Sequence, residues 1–311
     1  MVRAVLLCPG QGAQRVGMGK DLAERFPVAR EVFAAADEEL GFALSRLMWE
    51  GDEAELTLTH NAQPAILVHS MAVLETIGGA LAPAAAAGHS LGEYSAYAAA
   101  RSLSLGDAIR LVRRRGELML AAGKERPGTM AVVLGLECSL VEEACRQASG
   151  NHGVAVAANL NSPEQVVISG DPAAVEAAGA RCKELGAKRV APLKVSGAFH
   201  SPLMEPARLE LEAELQRVEL KDPQFPVIAN VTGEPVREAG TARRLLALQL
   251  TAPVRWIDCM RTAAREAGPG AVFVEIGPGN VLAGLLKRIV PEAKVVSVGT
   301  AAEVERFLEA A

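Results

Sequence analysis

The sequence predicts an α/β fold: a large α/β-hydrolase-like domain with a mostly parallel sheet, plus a small ferredoxin-like domain inserted into it. Three observations carry this. Apolar runs of strand length alternate with helical stretches on both sides of the chain's middle, the pattern of a parallel sheet covered on its two faces. Gly88-His89-Ser90-Leu91-Gly92 fits Gly-x-Ser-x-Gly, the sharp strand-to-helix turn that lifts a serine hydroxyl clear of the backbone. Between about Thr129 and Ser196 the order changes to β-α-β-β-α-β, the ferredoxin-like unit. The expected division is residues 1–126 and 196–311 for the large domain and 127–195 for the small one.

Taken in order, Arg3 to Leu7 reads as a buried strand, and Cys8-Pro9-Gly10-Gln11-Gly12-Ala13-Gln14 as the loop leaving it. That loop is not a dinucleotide fingerprint, because the sixth position from Gly10 is Arg15. Asp21 to Leu40 reads as one amphipathic helix, and Thr59 to Gln63 as a polar lead-in to a helix from Pro64 to Ile77. Pro83 to Ala87 is the strand before the elbow, although four alanines in a row are weak strand formers. Glu93 to Ala100 and Ser104 to Ala121 follow as helices. The small unit is expected as strands at 130–136, 154–158, 165–169 and 189–195, with helices at 139–148 and 171–185. Beyond it come a loop at 197–202, helices at 206–218 and 241–250, strands at 227–231 and 272–276, and a helix at 281–289.

Composition excludes several classes of function. With 311 residues, half of them hydrophobic and 22% charged, the chain is long enough for a substantial soluble core. No apolar run approaches the roughly 18 to 20 residues of a membrane span, and the N-terminus lacks a signal-peptide cleavage pattern, so a cytoplasmic location is expected. Five scattered cysteines without a Cys-x-x-Cys argue against a disulfide framework and a zinc site. A net charge of -5 argues against nucleic acid. Two short basic runs, Arg110 to Arg115 and Lys183 to Arg189, read first as solvated helix faces, yet leave room for an acidic partner.

A serine nucleophile needs a base, and histidine titrates nearest neutrality. Of the five histidines, His69 lies within an apolar helix, His60 in a polar lead-in and His152 in a glycine-flanked turn. His89 adjoins Ser90, but neighbours in a strand point to opposite faces. His200 sits in a loop where the chain re-enters the large domain and is the remaining candidate. No acidic residue stands out between Ser90 and His200 as its orienter, so a Ser–His dyad fits better than a triad.

Several motifs occur together in one order: Pro9-Gly10-Gln11-Gly12-Ala13-Gln14, Gln63-Pro64, Gly88-His89-Ser90-Leu91-Gly92-Glu93-Tyr94, Arg115-Gly116 with Met119, Asn161-Ser162-Pro163, Gly197-Ala198-Phe199-His200-Ser201, Gln249-Leu250 and Glu275-Ile276-Gly277-Pro278-Gly279. In this the chain resembles, over nearly its whole length, the malonyl-CoA:acyl-carrier-protein transacylases of bacterial fatty-acid synthesis. The resemblance implies a ping-pong transfer in which Ser90 attacks the malonyl thioester and His200 is general base and acid. It maps the oxyanion hole to the backbone N–H groups of Leu91 and Gln11, and the histidine's orienting carbonyl to Gln249. Arg115 is implied to grip the malonyl carboxylate, with Gln63, Asn159, Phe199 and Met119 as further substrate-binding residues; Asn161 is an equally placed alternative to Asn159. No bound cofactor or metal is implied. Malonyl-CoA is the substrate, and the phosphopantetheine thiol is carried by an acidic acyl carrier protein that binds transiently to a monomer. Lys183 and Lys188 are candidate carrier contacts. The rival readings are a serine esterase or thioesterase, an acyltransferase of polyketide synthesis, and a non-catalytic carrier-docking module.

Overall fold

The computed structural model describes residues 1–150 and 153–311, and His152 lies outside them. Two sheets organise the chain. The larger is built from β1 (Val2–Cys8), β2 (Leu81–Gly88), β7 (Val227–Ile228), β8 (Pro235–Val236), β9 (Val272–Ile276) and β10 (Lys294–Val298), in the order β10-β9-β1-β2-β7-β8. All neighbours are parallel except the β7–β8 hairpin at one edge. The smaller is built from β3 (Thr129–Leu134), β4 (Ala155–Ser162), β5 (Gln165–Gly170) and β6 (Arg189–Pro192), all antiparallel, in the order β4-β5-β3-β6. Helices Cys138–Ala148 and Pro172–Glu184 pack on one face of it through Val141, Ala144, Val175 and Ala178 against Val133, Val166 and Ile168. This is the ferredoxin-like arrangement expected from the element order.

The alanine run of β2 is a strand despite its weak intrinsic preference, because tertiary packing decides here. Ala85, Ala86 and Ala87 have no exposed surface, and their small side chains let helices Gly92–Ala99 and Trp256–Ala267 close on the central strand. The register runs from Val2 opposite Leu81 to Cys8 opposite Gly88. The loop after β1 and the turn after β2 therefore leave the same end of the sheet side by side, so Gln11 and Ser90 meet.

Three readings, two of helices and one of a strand, need correction. The stretch 21–40 is two helices, Lys20–Arg25 and Pro27–Leu40, with extended Phe26 between them. Pro27 cannot continue a helix and pushes its predecessor out of the helical region. The helix placed from Pro64 begins at Thr59 and contains the proline. Pro64 has no N–H for the His60 carbonyl one turn back, and the Arg113 guanidinium donates to that carbonyl instead at 3.0 Å. The strand expected at 227–231 is only Val227–Ile228, since Asn230 turns inward to the site. Helices Leu44–Glu50, Glu53–Thr57, Trp256–Ala267 and Ala301–Ala310, with β8 and β10, complete the chain beyond what the sequence reading assigned.

Candidate active site

Ser90 lies on the tight turn between β2 and helix Gly92–Ala99, with φ of 54°. That left-handed conformation is costly for a side-chain-bearing residue and is held only where surroundings fix it. Here three groups do. Asn230 Oδ1 accepts from the Ser90 N–H at 2.8 Å, while the Ser90 carbonyl accepts from the Glu93 N–H and the Gln249 Nε2, both at 3.0 Å. The flanking glycines are required by close approach: a Cβ at Gly88 would sit 1.8 Å from the Gly92 oxygen, and one at Gly92 2.1 Å from the Cys8 oxygen.

His200 also has a positive φ, 57°, in the loop entering the short helical turn Pro202–Met204. Ser201 Oγ tightens this loop by donating to the Ala198 carbonyl at 2.7 Å. The strained backbone turns the imidazole back to the elbow. His200 Nε2 is 2.8 Å from Ser90 Oγ, and Nδ1 is 2.9 Å from the Gln249 carbonyl. A carbonyl can only accept, so Nδ1 carries the proton and Nε2 is free to accept from the serine hydroxyl. Burial, reinforced by the charge of Arg115, pushes the His200 pKa from 6.5 down to about 3. In the unloaded protein the ring is neutral and competent as a base.

Arg115 is the anomaly of the site. It is 1% exposed, yet touches no carboxylate among the described residues. Its Nη1 donates to Gln63 Oε1 at 2.7 Å, and its Nη2 to Gln249 Oε1 at 2.9 Å and to Ser90 Oγ at 3.0 Å. The guanidinium also lies 5.6 Å from the centre of the Tyr94 ring, and its Nε finds no acceptor among the described residues. Burial lowers its pKa, although an arginine stays charged in proteins. The rest of the basic run reads as a solvated face. Arg110 pairs with Glu39 and Asp107, Arg113 with Glu117, and Arg114 with Glu210. Of these four arginines, only Arg115 turns inward.

The remaining candidates gather around a cleft of about 290 Å³ that opens between the two sheets. Gln11, Ser90, Met119, Asn159, Phe199 and His200 border it, and Gln63 and Gln249 are fully buried behind it. The structure places the two asparagines differently: Asn159 faces the cleft, while Asn161 Oδ1 is 2.8 Å from His89 Nε2. His89 thus borders the cleft with its Nε2 held by Asn161. Gln11 Oε1 accepts from Thr59 Oγ1 at 2.8 Å, and that hydroxyl accepts from Gln63 Nε2 at 3.0 Å, so an unbroken chain of amides and hydroxyls links Gln11 to Arg115. Lys194 borders the cleft, whereas Lys183 and Lys188 do not. Among the described residues no cluster of three metal-ligating side chains occurs, and no helix is long and apolar enough to cross a membrane.

Two residues of this site escaped the sequence reading. Asn230 clamps the elbow, with its Nδ2 donating to the Gly88 carbonyl at 2.7 Å and its Oδ1 accepting from Ser90. Glu93, three residues after the nucleophile, is fully buried and accepts from Gln249 Nε2 at 2.6 Å. The only signal for either was local: a carboxylate inside an otherwise apolar helix, and an asparagine ending a strand.

A serine on an elbow turn, a histidine within hydrogen-bond distance of its oxygen and a carbonyl on the other ring nitrogen, in an α/β fold, form an arrangement that can carry acyl transfer. Comparison with known proteins agrees. Residues 5–306 match the family model for the acyl transferase domain, and the chain belongs to that family of acyltransferases. It is 44% identical over 310 residues to the malonyl CoA-acyl carrier protein transacylase of Bacillus subtilis, covering 99% of this chain and 97% of that one. It is 42% identical to the Haemophilus influenzae protein of the same name, covering 99% and 100%. Among solved structures, the Xanthomonas oryzae malonyl-CoA:acyl carrier protein transacylase superposes with a TM-score of 0.94 at 40% identity, covering 100% and 98%. A malonyl-transacylase in complex with its type II PKS acyl-carrier protein superposes equally well, at 41% identity with 99% and 100% covered. The chain is a member of the malonyl CoA-acyl carrier protein transacylase family.

Proposed function

We propose that this protein transfers the malonyl group from malonyl-CoA to the phosphopantetheine thiol of an acyl carrier protein through a malonyl ester on Ser90. The observation that carries this reading is Arg115: a buried guanidinium without a carboxylate partner, 3.0 Å from the nucleophilic oxygen. Malonyl is an acyl group that brings a carboxylate with it, and a guanidinium can pair such a group through two parallel hydrogen bonds. An acetyl group brings no carboxylate to this cation and gains none of that pairing, so the site discriminates against it.

In the first half-reaction Ser90 Oγ attacks the thioester carbonyl while its proton passes to His200 Nε2. The oxyanion that forms is received by the backbone N–H groups of Leu91 and Gln11. The carbon–sulfur bond breaks, and the coenzyme A thiolate takes the proton from His200. In the second half-reaction the carrier's thiol gives its proton to His200 and attacks the ester carbonyl, and Ser90 leaves with that proton. Arg115 donating to Ser90 Oγ stabilises the alkoxide that departs or attacks. Met119 and Phe199 wall the acyl group, with Gln63 and Asn159 as polar contacts. Gln249 orients His200 through its main chain, and a neutral orienter suffices because a thiolate is a better leaving group than an amine.

We read residues 1–126 and 196–311 as the catalytic domain and 127–195 as the small domain, of a monomeric, cytoplasmic enzyme that binds its carrier transiently. No bound cofactor enters the reaction. Mass spectrometry of the intact protein after mixing with malonyl-CoA is expected to show one malonyl adduct, absent from Ser90→Ala and discharged by carrier protein bearing phosphopantetheine. Rapid release of free malonate without carrier would make the protein an esterase instead.

A further inference from the structure

Behind the dyad, away from the cleft, lies a buried acid that the acyl-transfer chemistry above does not use. Glu93 Oε2 accepts from Gln249 Nε2 at 2.6 Å and from the Asn230 N–H at 3.1 Å. Glu93 Oε1 is buried and has no partner among the described residues. Gln249 therefore makes four contacts with the machinery at once. Its Nε2 donates to Glu93 and to the Ser90 carbonyl, its Oε1 accepts from Arg115, and its main-chain oxygen holds His200.

We propose that Glu93 is a positioning residue of the acyl-transfer site: its carboxylate is the resting counter-charge of Arg115, coupled to it through the Gln249 side chain, and it sets the electrostatics in which His200 works. The proposal rests on the reading of Ser90, His200 and Arg115 given above. It stands on a point of bonding. Both donors that reach Glu93 fall on one oxygen, so a neutral amide would accept the same two bonds without burying a charge. What the carboxylate adds is charge, and Arg115 is the cation of the buried core it can serve. With malonyl absent, the pair Arg115–Gln249–Glu93 keeps the cation from standing alone. With malonyl present, the substrate carboxylate meets the guanidinium, and the Glu93 charge remains to favour the imidazolium that forms on His200.

The titratable and charged groups around Glu93 are few. Tyr94 and Tyr97 share its helix, Arg115 faces it from helix Leu105–Glu125, Cys259 from helix Trp256–Ala267, and His200 lies across Gln249. Burial drives the Tyr94, Tyr97 and Cys259 pKa values upward, so these three stay neutral across the working range. Burial also raises Glu93 from 4.5 to about 7, with Gln249, Asn230 and Arg115 opposing it. His200 is pushed the other way, to about 3. In the free enzyme the group of this cluster that titrates near neutrality is thus the acid and not the base.

The test is kcat/KM for malonyl-CoA against pH, which reports the ionisations of the free enzyme. In the wild type we expect a fall of about tenfold as the pH drops through 7, the loss of roughly one unit-charge interaction in the site. In Glu93→Gln the limb disappears, and the rate is flat at the lower level. In Glu93→Asp a carboxyl remains on a shorter arm, so the limb persists with a displaced midpoint. Wild-type rate and an unchanged limb in Glu93→Gln would overturn the proposal, since that variant keeps an oxygen for both hydrogen bonds and removes the charge, placing an NH2 where Oε1 had no partner. An unchanged midpoint in Glu93→Asp would overturn it equally, should the amide variant fail to fold. Failure of the underlying acyl-transfer reading is seen separately, as absence of the malonyl–Ser90 adduct in the wild type.

Discussion

Replacing Arg115 by methionine removes the buried charge while keeping an unbranched side chain of similar reach, so the consequence can be worked from the contacts. In the unloaded protein the guanidinium donates to Gln63, Gln249 and Ser90. In the proposed malonyl complex it offers two charge-assisted bonds to the substrate carboxylate, each contributing about 1.5–3 kcal/mol. Losing both lowers kcat/KM for malonyl-CoA by about 3–6 kcal/mol, which is roughly two to four powers of ten. Acetyl-CoA has no carboxylate to lose and forfeits only the assistance at Ser90 Oγ. The ratio of malonyl to acetyl transfer is therefore expected to fall by about two powers of ten or more. Arg115→Lys keeps the charge but not the fork and should lie between. The assay is transfer to carrier protein from the two thioesters, run beside thermal melts, because Gln63 and Gln249 lose a donor in the methionine variant. A folded Arg115→Met with an unchanged malonyl-to-acetyl ratio would refute the reasoning.

Two further outcomes follow from geometry and titration. Gly88→Ala would place its Cβ 1.8 Å from the backbone oxygen of Gly92, so it should cost on the order of 1–3 kcal/mol or more and abolish transfer. Gly284→Ala meets nothing within 4 Å inside helix Val281–Ile289 and should be neutral or stabilising in the same urea titration; equal effects of the two would disprove the steric account of the elbow. His200, lowered to about 3, makes the unfolded chain the better proton binder below pH 6.5, so its contribution to stability is full above that pH and is lost as the pH falls toward 3. Glu93, raised to about 7, has the opposite sign: its cost appears as the pH rises through 4.5 and is complete above 7. Relative to wild type, His200→Gln should gain up to about 1 kcal/mol of stability per pH unit as the pH falls from 6.5 to 4.5, measured by urea unfolding at several pH values. A difference independent of pH would contradict it.

The elements legible in the sequence are those whose cause is local. β9 and the helix Val281–Ile289 fall where they were expected, because Gly277-Pro278-Gly279 punctuates the chain between them. The meeting of Ser90 with His200, 2.8 Å apart, was legible because an elbow turn needs glycines at fixed spacing and because few histidines compete. Missed were features whose cause is distant. Glu93 gains its meaning from Gln249 and Asn230, 156 and 137 residues further along. Pro64 can sit inside a helix because Arg113 serves the carbonyl it leaves unpaired, and nothing near residue 64 announces that. The alanine strand β2 is legible from its place before the elbow, although the two helices that close on it, and not its own preference, fix it. Lys194 borders the cleft only because the chain crosses back there after β6.

The position of the acid explains why the orienter is neutral. In a Ser–His–Asp arrangement the carboxylate sits directly on the base, stabilising the imidazolium and fixing its tautomer. At residue 249 such a carboxylate would lie within hydrogen-bond reach of Arg115, since Gln249 Oε1 is only 2.9 Å from its Nη2. It would close an ion pair on Arg115, the buried cation proposed to receive the incoming carboxylate, and malonyl would have to displace it. An amide avoids this. Its main-chain carbonyl still selects the His200 tautomer, its Oε1 keeps Arg115 in place without neutralising it, and its Nε2 passes the interaction on to Glu93. Charge is thereby held one side chain further back, near enough to support a transient imidazolium and too far to compete for the guanidinium. A hydrolase with no cation to keep vacant has no need of that separation.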